Sequence, residues 1–97
     1  MTSAELLAEK ANRCLPPGFK AFTQYLLPYQ DMDGNWHEPL ADNVGMRIRR
    51  DPFNEALPFV VDALVIESDE QMPDEHFRER IIRPMLASIA QYEREGK

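Results

Sequence analysis

Apolar positions near the start of the chain recur at three- and four-residue spacing. Leu7, Ala8, Ala11, Cys14 and Leu15 form one narrow stripe, the signature of an amphipathic helix. Thr2 with Glu5 three residues later is a capping-box pattern. Pro16-Pro17-Gly18 is a stop, because proline removes an N–H donor and disfavours the α conformation of the residue before it. The spacing predicts a helix over about 3–14.

From Phe19 the pattern changes to β formers, and a strand is expected over about 19–29, disturbed by Pro28. Asp31-Met32-Asp33-Gly34-Asn35 is a dense turn signal. Val44 to Arg49 alternates, with Met46 and Ile48 on one face and Arg47 and Arg49 on the other. Trp36 to Leu40 extends this second strand to about 36–49, provided Pro39 lies at an edge or a bulge. Asp51-Pro52-Phe53-Asn54 reads as another turn. Phe59 to Ile66 is the most apolar stretch, so a third strand over about 58–67 is expected at the centre of the sheet.

A last helix is predicted over about 73–93, opened by Pro73 and by Asp74 and Glu75, which suit the positive end of its dipole. Phe77, Ile81, Met85 and Ile89 form its stripe, flanked by Ile82, Leu86 and Ala90. Pro84 interrupts that pattern and predicts a kink or local unwinding near Arg80 to Pro84. The Glu93–Lys97 end is expected to fray.

The order is α-β-β-β-α. It predicts a two-layer α+β fold in which two helices pack on one face of a three-stranded antiparallel sheet. A sheet covered on one side should alternate between apolar and polar. Here both faces are apolar: Phe59, Val61, Ala63 and Val65 alternate with Val60, Leu64 and Ile66, and only Asp62 breaks the second set. Either the turn segment with Trp36, Leu40 and Phe53 folds back over the second face, or a partner covers it. The partner reading nominates Tyr25, Tyr29, Trp36, Val60, Leu64 and Ile66 as an apolar interface and anticipates a homo-oligomer, most simply a dimer.

Ninety-seven residues, 43% hydrophobic and 29% charged, fit one compact domain. No apolar run is long enough to span a bilayer. The opening residues lack the basic and apolar regions of a signal peptide. The single cysteine, Cys14, excludes an internal disulfide and suits a reducing compartment, so a cytoplasmic location is expected.

Candidate chemistry is sparse. Cys14, His37 and His76 have no metal-knuckle spacing. Asp31-x-Asp33-Gly34-Asn35 faintly matches a calcium loop, but its glycine comes too early and Asp42 stands where a bidentate glutamate belongs. Cys14 lies on the apolar stripe, the serines lack a glycine-framed elbow, and the glycines are isolated. His76 sits beside Asp74, Glu75 and Glu79 as a solvated helix residue. No catalytic residue, cofactor or metal is expected. A pocket around Tyr25, Trp36 and His37 is the remaining route to a small enzyme or ligand-binding protein.

Charge is more informative. Seventeen acids against eleven bases give −6, and Asp31 to Glu75 holds twelve acids and three bases, Arg47, Arg49 and Arg50. An acidic surface is nominated from Asp31, Asp33, Glu38, Asp42, Glu67, Asp69, Glu70, Asp74 and Glu75, able to dock on a basic protein partner. Its blander counterpart is a solvated face in which Arg47 and Arg49 meet water and Glu79 and Arg83 form a helical pair. The element order resembles that of double-stranded-RNA-binding domains. Their last helix begins with a lysine-rich turn, however, whereas acids stand here, so direct nucleic-acid binding is not expected. The expectation is a small acidic, non-enzymatic interaction module, such as a phage- or mobile-element-encoded inhibitor or adaptor acting in a host cytoplasm. The alternative is a structural subunit of a larger viral or bacterial assembly joined through the apolar sheet face.

Overall fold

A computed structural model describes residues 1–95. Helix α1 (Ser3–Cys14) begins where Thr2 accepts the Glu5 N–H at 3.1 Å, and it ends at the proline pair. Strands β1 (Phe19–Tyr25), β4 (Asn43–Arg50) and β5 (Val60–Ile66) form an antiparallel sheet in the order β1-β4-β5. Between β1 and β4, β2 (Tyr29–Gln30) and β3 (Trp36–His37) make a separate hairpin. The C-terminal helix is α2 (Asp74–Phe77), a π turn (Arg78–Ile82) and α3 (Arg83–Glu95), preceded by a 3₁₀ turn (Glu67–Gln71). Both helices lie on one sheet face, so the expected α+β class and αβββα layout hold, with the small hairpin as an addition.

Three expectations are corrected. The central strand is β4, not the more apolar β5, which lies at an edge. Apolarity reports how many faces of a strand repel water, whereas centrality depends on which neighbours the connections supply. The strand expected over 19–29 ends at Tyr25, and the one expected over 36–49 is divided. Pro28 and Pro39, which cannot donate to a ladder, stand in the two breaks. Gly34, at φ 86°, makes the hairpin turn that a β-carbon would strain.

The core joins Leu7, Ala11 and Cys14 of α1 to Ala21, Val44, Met46, Ile48 and Val65 of the sheet and to Phe77, Ile82, Met85 and Ile89 of the C-terminal helix. The local unwinding expected before Pro84 is the π turn, where the Arg83 N–H donates five residues back to the Arg78 carbonyl. A widened turn relieves the clash between the proline ring and the backbone it would meet in an α-helix. It also steps the buried stripe by five, from Phe77 to Ile82, leaving Ile81 half-buried and Ala90 exposed. The fraying expected from Glu93 is not found at Glu93–Glu95, which continue the helix; Gly96 and Lys97, the rest of that expectation, lie outside the described residues.

One cation enters the core. Lys10 is 6% exposed, its Nζ 2.9 Å from Asp74 Oδ1 and 5.5 Å from the centre of the Phe77 ring. No helix is long and apolar enough to cross a membrane among the described residues.

Candidate docking surface

Strand alternation sends Ala21, Val44, Met46, Ile48 and Val65 into the helix layer, and Phe22, Gly45, Arg47, Arg49, Asp62, Leu64 and Ile66 to the opposite face. Among the described residues no helix lies over that second face. Phe22 on β1 and Leu64 and Ile66 on β5 stand proud of it, with Leu64 61% exposed. Gly45 leaves a hollow at the centre: a β-carbon there would come within 3.2 Å of Leu26 Cδ2, so the chain leaving β1 drapes Leu26 across it. The resulting shallow cavity, about 730 Å³, is lined chiefly by Phe22, Leu26, Gly45, Arg47, Asp62 and Leu64.

Polar groups on this face are arranged around the hollow. Arg47 and Asp62, opposite each other on β4 and β5, form a two-pronged ion pair at 2.8 and 3.1 Å that holds the Asp62 carboxyl below its ordinary range. Arg49 lies over Phe22 and Phe53, its guanidinium 5.0 and 5.6 Å from their ring centres, and Lys20 is 5.3 Å from Phe22. Of the segment expected to fold back over this face, only Phe53 does so; Trp36 and Leu40 remain 69% and 71% exposed.

The nominated apolar interface is therefore divided. Val60, Leu64 and Ile66 share the open face, whereas Tyr25 points to the helix side, where its hydroxyl donates to Glu67 at 2.8 Å. That carboxylate holds the phenol above its ordinary pKa. Tyr29 and Trp36 belong to the hairpin, and Tyr29 stacks on His37 with ring centres 5.0 Å apart. Phe22 and Leu26 were missed as site residues; their alternation with Phe19 and Tyr25 was the signal that could have placed them on the open face.

The nominated acidic surface is divided too. Asp74 is clasped by Arg13 at 2.9 Å and by Lys10, which hold its carboxyl far below the usual range. Asp31 accepts the Asp33 and Asn35 N–H groups and pairs with His37 Nε2 at 2.7 Å, which lowers its pKa. Asp69 accepts the Ile66 N–H at 3.0 Å, and Glu67 is engaged by Tyr25. Among the described residues, Asp33, Glu38, Asp42, Glu70 and Glu75 make no side-chain hydrogen bond or ion pair. Of these, Asp42 is brought beside Glu67 by the bond from the Glu67 N–H to its carbonyl, at 2.9 Å. Of the blander reading, the Glu79–Arg83 pair is present at 2.7 Å, whereas Arg47 is engaged by Asp62, Arg49 packs on Phe22 and Phe53, and Arg50 binds Glu93 at 2.7 and 2.8 Å.

Among the described residues no group of three or more His, Cys, Asp or Glu side chains is placed to hold a metal ion. Cys14 is buried against the Asp74 carbonyl. His37 is committed to Asp31 and Tyr29, and His76 lies in a second, shallower depression beside Pro73, Glu75, Glu79 and Arg80. Comparison of the chain with known protein families, curated proteins and solved structures finds no match.

Proposed function

We propose that this chain is a non-enzymatic protein-interaction module that docks another protein on the open face of its sheet. The observation behind this reading is the hollow at Gly45, rimmed by Phe22, Leu26 and Leu64 on the side the helices leave bare. A small domain gains stability from covering such a surface, and exposed apolar patches of this kind mark interaction sites. The acids without internal partners, Asp33, Glu38, Asp42, Glu70 and Glu75, add long-range attraction for a basic partner, which governs encounter more than residence. A small inhibitor or adaptor working in a reducing cytoplasm fits both features and the single buried thiol.

The test compares capture of a partner by the intact chain, by Phe22→Asp and by the acid-neutralised chain Asp33→Asn with Glu38→Gln, washed at about 0.1 M and about 1 M salt. The open-face reading expects a partner that survives the high-salt wash on the intact and acid-neutralised chains and is lost from Phe22→Asp. Equal capture by Phe22→Asp overturns it. A partner lost from every chain at about 1 M salt transfers the docking role to the acidic surface.

A further inference from the structure

The two edges of the sheet are treated differently. On β1, the outward backbone groups at the middle of the strand belong to Ala21, and the Asn12 amide takes both: Oδ1 accepts the Ala21 N–H at 2.9 Å and Nδ2 donates to the Ala21 carbonyl at 3.1 Å. The Thr23 hydroxyl, also on that side, donates to the Ala4 carbonyl. Helix α1 thus engages the outward backbone groups at the middle of β1, where another strand would have to pair.

On β5 the pairing parity follows from the bond between the Glu67 N–H and the Asp42 carbonyl. Counting back, Val65, Ala63 and Val61 exchange bonds with β4, so Val60, Asp62, Leu64 and Ile66 direct their N–H and C=O groups away from the sheet. The Ile66 N–H is taken by Asp69. The groups of Val60, Asp62 and Leu64 have no partner among the described residues. The strand has no proline, no lysine and no bulge, and its one charged residue, Asp62, is paired with Arg47.

We infer that the free edge of β5 pairs with β5 of a second copy, antiparallel about a two-fold axis at Ala63. The register follows from the groups left free. Setting Asp62 opposite Asp62 of the second copy would oppose two carboxylates. Setting Asp62 opposite Leu64 of the second copy avoids this and uses every free donor of Val60, Asp62 and Leu64. It also opposes Val60 to Ile66 and Val61 to Val65, both apolar pairs, and places the small Ala63 on itself at the axis, where the strands approach most closely. A second copy is the fitting occupant for two reasons. The strand is self-complementary in this register, and its one charge, Asp62, is neutralised by Arg47 of its own sheet, so the overall −6 is not concentrated at the contact. This pairing does not depend on the docking role of the open face.

The experiment is sedimentation equilibrium of the full chain at about 100 µM, with three variants. Leu64→Pro removes an outward N–H that the β4–β5 ladder does not use, so the fold should survive while the mass falls from dimer to monomer. Phe22→Asp, on β1 at the opposite edge of the sheet, should stay dimeric. Ala63→Cys should form a disulfide-linked dimer under mild oxidation, since paired residues at the axis lie within bridging range, and Cys14 is buried. A monomeric intact chain overturns the inference, as does a dimer that survives Leu64→Pro. A dimer lost in Phe22→Asp but kept in Leu64→Pro overturns the edge pairing and leaves the open-face reading standing. If Leu64→Pro does not fold, the Ala63→Cys cross-link decides: its formation supports the pairing and its absence overturns it.

Discussion

Leu64 and Val65 are neighbours on β5 that face opposite sides of the sheet, and an aspartate at each tests which side is core. Val65 is 4% exposed. Its replacement forfeits roughly 1.5–3 kcal/mol of side-chain burial and forces a carboxylate, or its protonated form, among Val44, Met46 and the helices at a further cost of several kcal/mol. A chain of this length has about 5–15 kcal/mol in all, so Val65→Asp should be unfolded or nearly so. Leu64 already leaves more than half its surface in water. Its replacement places roughly 1 kcal/mol at stake, equivalent to a midpoint shift of about 4–8 °C. Thermal and urea unfolding followed by far-UV circular dichroism is the suitable assay, because Trp36 stands on the exposed hairpin and its fluorescence would not report the core. Similar losses from the two variants, or a well-folded Val65→Asp, would refute the assignment of faces.

Asn12→Ala should cost about 1–3 kcal/mol, since it strips both partners from the buried Ala21 backbone; an unchanged urea midpoint would contradict the capping role. Asp62, Asp74 and Glu93 are held below their ordinary values by Arg47, by Arg13 and Lys10, and by Arg50 respectively. The unfolded chain therefore binds more protons, so this stability is fully present above about pH 5 and is lost as pH falls through the lowered values. Asp74→Asn should flatten the decline in urea midpoint between about pH 5 and about pH 2, and an unaltered slope would speak against the clasp. Asp31→Ala should accelerate hydrogen exchange at the Asp33 and Asn35 amides and leave the β4 amides protected, because the hairpin lies apart from the three-stranded sheet. Matching acceleration in β4 would show the hairpin to be coupled to the core.

Much of the fold was legible because its signals are local. The Thr2 cap, the proline stop after α1 and the disruption before Pro84 each act within a turn of the residue that causes them. Alternation in β5 correctly indicated two apolar faces. The order of strands was not legible, since Val60, Leu64 and Ile66 make β5 look central although they face the bare side. The five-residue step from Phe77 to Ile82 escaped a reading tuned to three and four. The burial of Lys10 has no local signal, because its partners, Asp74 and Phe77, stand more than sixty residues away. The same distance hides that Asp74 is spent on α1, while Asp69 is spent locally on the Ile66 amide; a count of charges registers neither, and only Asp33, Glu38, Asp42, Glu70 and Glu75 keep the uncommitted character that the count implied.

The Asn12 amide has a consequence for how many chains can gather. A sheet with two vacant margins can add chains at both ends without limit, as fibrils do. With Asn12 seated on Ala21, the middle of one margin is engaged from within, and a second copy joined at β5 would present only its own Asn12-held β1 margin beyond it. If β5 pairs as proposed, growth by strand addition would end at the dimer, with a side-chain amide of α1 as the chain terminator.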